Sequence, residues 1–88
     1  MPYNLSLPSP LPNDGWKVKI LDNELEFEEP HLTIRRGTKH WRMSLRDGEF
    51  MDKNPAPRDV ADEVVAAIEA DWKLLVKEWN DRHPSNPV

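Results

Sequence analysis

The chain has no cysteine. That excludes a disulfide framework and thiolate metal sites, and it is compatible with a reducing compartment. No apolar run approaches the ~20 residues of a membrane span, and no charged-then-apolar leader opens the sequence. A cytoplasmic location is therefore expected, with no membrane partner. Three histidines are thin material for a metal centre, since zinc takes three protein ligands even at catalytic sites. Neither a metal nor a cofactor is expected. Glycine is also scarce, at three residues, and Gly15, Gly37 and Gly48 each stand where a turn is needed.

One further absence is local. Between Pro30 and Arg46 there is no acidic residue, while Arg35, Arg36, Lys39, Arg42 and Arg46 give that stretch a net charge of +5. Just upstream, Asp22, Glu24, Glu26, Glu28 and Glu29 form an acidic block, and Asp47 to Val88 carries −5. The whole chain has net charge −4, which argues against a general nucleic-acid coat protein. A local basic surface in an acidic protein remains compatible with that balance.

The basic stretch alternates. Leu32, Ile34, Trp41, Met43 and Leu45 fall on one parity; His31, Thr33, Arg35, His40, Arg42, Ser44 and Arg46 fall on the other. Side chains of a strand point to opposite faces with period two. Two strands, about His31 to Arg36 and Lys39 to Arg46, joined across Gly37, would bury the first set. Cations and both histidines would gather on the opposite face. Trp16, Val18 and Ile20 alternate with Lys17 and Lys19 in the same way, as an earlier half-buried strand. Asp47-Gly48 reads as a two-residue hairpin turn in which both residues take positive φ. It would pair Leu45 with Phe50 and start a short strand over Glu49 to Met51.

After Asn54-Pro55-Ala56-Pro57 the period changes. Val60, Val64, Ile68, Trp72, Leu75 and Trp79 step by three or four residues, the stripe of an amphipathic helix of about 25 residues. Asp59, Asp62 and Glu63 suit its positive end, Arg82 and His83 its negative end, and Pro84 stops it. Trp16, Trp72 and Trp79 read as core. Val65 and Val76 widen the stripe and leave apolar surface for a partner helix or a homodimer. The first fourteen residues hold Pro2, Pro8, Pro10 and Pro12, which exclude a helix. They form either a tail or an extended arm whose leucines cover an apolar patch.

The organisation is thus a Pro-rich extended arm (1–14), a single α+β domain (15–83) and a short C-terminal tail (84–88). The fold expected is a three- to four-stranded, mainly antiparallel sheet with one long C-terminal helix packed on one face. A domain of this size buries about 60–65% of its unfolded surface, and four tryptophans supply large blocks of it.

Three segments, Gly15-Trp16-Lys17-Val18-Lys19-Ile20, Pro30-His31-Leu32-Thr33-Ile34 and Arg42-Met43-Ser44-Leu45-Arg46-Asp47-Gly48-Glu49, together with the Trp72–Trp79 stretch, resemble the bacterial family called domain of unknown function 4160. The resemblance covers roughly Gly15 to His83. It implies a Pro-His-x-His strand, of which His31 is kept and the second histidine is replaced by Thr33. It also implies a place in a toxin–antitoxin-like pair with a partner protein.

Three functions fit these residues. The first is a non-enzymatic interaction protein that uses Lys17, Lys19, His31, Arg35, His40, Arg42 and Arg46 to bind RNA, DNA or an acidic partner. Cations on neighbouring strands give salt-dependent, mostly sequence-blind affinity for phosphates. The second is a small ribonuclease toxin, with His31 or His40 transferring protons and Arg42 stabilising the anion. The third is an antitoxin or inhibitor that masks a cationic partner through Asp22–Glu29. Against all three stands self-pairing, in which Arg35, Arg42 and Arg46 meet Glu26, Glu28, Glu29 or Glu49 of the same chain.

Overall fold

The computed structural model describes residues 3–21 and 29–88. Four strands, β1 (Tyr3–Asn4), β2 (Trp16–Ile20), β3 (His31–Arg36) and β4 (Lys39–Ser44), form one antiparallel sheet in chain order. Two helices follow a 3₁₀ turn at Pro57–Asp59: α1 (Asp62–Ala70) and α2 (Trp72–Arg82). The fold is α+β. Among the described residues no helix is long and apolar enough to cross a membrane.

The alternation in sequence becomes the division of the sheet into two faces. Val18, Ile20, Leu32, Ile34, Trp41, Met43 and Leu45 are buried together with Val60, Val64, Ile68, Leu75 and Trp79 from the helical half. The helices therefore cover the apolar parity. The β3–β4 hairpin turns on Gly37-Thr38, since Arg36 pairs with Lys39. Gly37 has φ +61°, while among the described residues no non-glycine has positive φ. That is the pattern of a type II′ turn, with glycine first. Trp16 and Trp41 meet in the core with ring centroids 5.7 Å apart.

The first described residues are part of the sheet. Tyr3 pairs with Ile20 and Asn4 with Lys19, the Leu5 amide donates to the Val18 carbonyl at 2.9 Å, and Leu5 and Leu11 are buried. The leucines of the arm thus cover the core of their own chain. The turn back into β2 is closed by Gly15 N–H to the Pro12 carbonyl and Trp16 N–H to the Leu11 carbonyl.

Asp47-Gly48 does turn the chain, but not as a two-residue loop. Only Gly48 takes positive φ, at +77°, and the double-left-handed turn needs both residues there. Instead Leu45 stays in the core, its amide donating to the Pro30 carbonyl. The Ser44 amide bonds the Glu49 carbonyl, the Met51 amide bonds the Arg42 carbonyl, and Asp47 Oδ1 accepts from the Glu49 amide at 2.9 Å. Phe50 consequently bridges Met43, not Leu45, and the expected strand over Glu49 to Met51 is reduced to that bridge.

The single long helix is likewise corrected to two. Val60 and Ala61 are extended, so helix begins at Asp62, and Asp71 at φ −114°, ψ 25° interrupts it. Steps of four residues drift about 40° per step around a straight helix. A break at Asp71 lets α2 aim afresh. Leu75 and Trp79 are then fully buried, while Trp72, expected in the core, is only half-buried. Val65 and Val76 are also half-buried and pack against the core.

Candidate functional site

The face of the sheet opposite the helices is built from the second parity. Cross-strand register sets two rows over three strands: Lys17, Arg35 and His40, then Lys19, Thr33 and Arg42. A third row at the end of the hairpin pairs His31 with Ser44. Directly opposite side chains on such a ladder lie about 5 Å apart at Cβ, so the cations form a patch rather than a scatter. Lys17, Arg35 and His40 are exposed, and Lys19 and Arg42 are partly so. A concavity of about 370 Å³ opens among Lys19, Leu21, His31, Thr33, Arg35, His40 and Arg42.

The expected binding residues do not all share one environment. Arg42 is held by Asp52, with Nε donating to Oδ2 at 3.0 Å and Nη2 to Oδ1 at 2.8 Å. Those hydrogen bonds hold the Asp52 carboxyl below its usual range, against a smaller opposing effect of burial. Arg46 is exposed but lies beyond β4, in the loop, so it is off the ladder. Lys17 lies beside the concavity rather than in it, against Gly15, Lys19, Arg35 and Gly37. Among the described residues no carboxylate forms an ion pair with Lys17, Lys19 or Arg35.

His31 departs most from expectation. It stands on the open-face parity, yet only 2% of it is exposed. Its Nδ1 donates to the Glu29 carbonyl at 2.8 Å, and its ring lies 5.5 Å from that of Trp79. Trp79 in turn stacks on His83 at 3.9 Å, and His83 Nε2 donates to the Leu21 carbonyl at 2.7 Å. This ladder of rings closes the end of the sheet against α2. His40 is thus the exposed histidine of the face.

Self-pairing involves a carboxylate outside the expected glutamates. Among the described residues Arg42 is paired with Asp52, and Glu29 accepts a hydrogen bond from Ser44 Oγ at 3.0 Å. Asp22, Glu24, Glu26 and Glu28, with the apolar residues Leu25 and Phe27, lie outside the described residues. Arg36 has turned to the core side, where its guanidinium lies 5.0 Å from the centre of the Trp16 ring and its Nε donates to the Asp14 carbonyl.

Two residues take a part in the site that the charge pattern did not assign them. Asp52 lies in the loop after Phe50, and only the four-residue length of the preceding turn brings it beside Arg42. Thr33 appeared as a departure from a motif and proves to be the centre of the patch.

A larger concavity, about 700 Å³, lies elsewhere, at the tip of the β3–β4 hairpin. It mixes Asp14 and Asp59 with Arg36 and Lys39, so its field has no consistent sign. The sheet-face concavity gathers cations and is the better candidate. Chemically, the face offers fixed positive charge, one hydroxyl and one exposed imidazole. Trp41 is buried against Trp16, so among the described residues no aromatic side chain of the face is presented for base stacking. Set beside known proteins, the chain matches no family model, no curated protein and no solved structure.

Proposed function

We propose that the chain is a small cytoplasmic, non-catalytic nucleic-acid-binding protein that holds phosphates on the open face of its sheet. The observation that carries this reading is the placement of Lys17, Lys19 and Arg35 on adjacent strands, exposed or half-exposed, with no ion-paired carboxylate among the described residues. Three such charges meet a phosphate backbone at several points and release its counterions. Among the described residues the patch has no aromatic side chain for stacking, and contacts to phosphate carry no sequence information, so the affinity is sequence-blind. The resemblance to the domain of unknown function 4160 family adds the setting, one member of a bacterial toxin–antitoxin-like pair with a protein partner.

Binding of labelled RNA and duplex DNA at low salt tests the reading. Micromolar or tighter affinity for both, lost in a Lys17→Ala, Lys19→Ala, Arg35→Ala triple variant, is expected. No binding at low salt would move the assignment to an acidic protein partner.

A second reading, a ribonuclease toxin, is favoured by one observation: His40 lies opposite Arg35 on the ladder and is exposed. That pair supplies a proton-transfer group beside an anion-stabilising one. Cleavage of RNA that disappears in His40→Ala, with binding retained, would support it over the first.

A further inference from the structure

Thr33 occupies the middle of the second row, directly between Lys19 of β2 and Arg42 of β4. It keeps only 9% of its surface, and it lines the concavity of the open face. Among the described residues its hydroxyl has no hydrogen-bond partner. No buried side-chain polar atom among the described residues is left without a partner, so this hydroxyl is one that still opens into the concavity, where water or a ligand meets it.

The groups around it set the ligand's chemistry. Lys19 and Arg42 flank it on the ladder, and Arg35 follows two residues along the same strand, on the same face. His40 stands across from Arg35, while Leu21 and His31 close the far end. No carboxylate is among the described lining residues; Asp52 is bound to Arg42 through both oxygens, and Glu29 accepts from Ser44 Oγ in the neighbouring row. A hydroxyl donor at the floor with cations on two sides matches an anion having several acceptor oxygens. A liquid water takes about 30 Å³, so about 370 Å³ leaves room for a phosphate group with part of its hydration.

We infer that this concavity is a site for a single phosphate group of a nucleotide ester, with Thr33 Oγ1 donating to one phosphoryl oxygen and Lys19 and Arg35 supplying the charge. The inference rests on the phosphate-binding reading of the face. It goes further in naming the place where one phosphate is held by a directed hydrogen bond rather than attracted by charge alone.

Titration of ¹⁵N-labelled protein with inorganic phosphate, followed by amide shifts, tests it. Saturable shifts centred on Lys19, Thr33 and Arg35 are expected. Thr33→Val keeps the β-branched shape and loses the donor, so its affinity should fall about tenfold, the scale of one charge-assisted hydrogen bond. Thr33→Ser restores the hydroxyl and should bind within about twofold of the native protein, as should Lys73→Ala on the distant helix. A dinucleotide monophosphate should saturate the same amides; saturation by inorganic phosphate alone would overturn the nucleotide assignment.

Thr33→Val binding as tightly as the native chain would overturn the site. RNA binding measured on the same samples separates the two levels. RNA bound normally with Thr33→Val unaltered towards phosphate removes the site and leaves the face; neither ligand bound removes both.

Discussion

Arg42 and Asp52 are joined by two parallel hydrogen bonds, at 3.0 and 2.8 Å, that tie the last strand to the loop following it. The pair divides the basic face in two. One cation already has a carboxylate of its own chain, and Lys17, Lys19 and Arg35 carry the charge presented to a ligand. Geometry of this fork-to-carboxylate kind is specific to arginine.

The same pair makes stability depend on acid. Because Arg42 lowers the carboxyl pKa of Asp52 in the folded state, Asp52 contributes stability above its unfolded value of about 3.9. That contribution is lost as pH falls through the lowered folded value. The Arg42 side chain is 39% exposed, so solvent screening limits the effect to about 1 kcal/mol or less. Urea unfolding of the native chain and Asp52→Asn at pH 7 and at pH 2 to 3 measures it. The difference between the two proteins should shrink in acid; an equal gap at both pH values would show that the pair is not formed.

Among the tryptophans, Trp79 rather than Trp72 should dominate stability. Trp79 is fully buried, lies between His31 and His83, and donates from Nε1 to the Asn86 carbonyl at 2.7 Å. Trp79→Ala should cost about 3–5 kcal/mol. Trp72 is half-buried beside Gly48, and Trp72→Ala should cost less than half as much in the same denaturant titration.

His83→Phe probes the closure of α2 on the sheet. Phenylalanine preserves stacking on Trp79 but leaves the Leu21 carbonyl without its donor. Loss of a part-buried hydrogen bond costs about 1–3 kcal/mol. Thermal unfolding that is unchanged in this variant would show that the bond contributes nothing net.

Period-two alternation was legible because it is local: Trp16 to Ile20 and His31 to Ser44 bury one parity as their spacing requires, and Gly37 turns where it stands. The helix was legible in content but not in its break, because a stripe stepping by fours marks a face and not the point where the chain must re-aim at Asp71. The Asp47-Gly48 turn was misread for a tertiary reason, since burial of Leu45 and its bond to Pro30 lengthen the loop. That shift of register also brings Asp52 to Arg42. His31 was misplaced because a strand's parity cannot announce that a helix end, through Trp79, will reach around the sheet. Leu5 and Leu11 gave no periodic signal, and their burial follows from the docking of two residues of β1.

The salt dependence of RNA and duplex DNA binding tests the central claim most directly. With Lys17, Lys19 and Arg35 meeting phosphates, the log–log slope against salt concentration should be about −2 on single strands and about −3 on a duplex, near 0.7 and 0.9 per contact. Arg35→Ala should shallow it by about one contact on every sequence, and Arg42→Ala by less, because Arg42 must first leave Asp52. A slope near zero, or one unaltered by Arg35→Ala, would contradict the account.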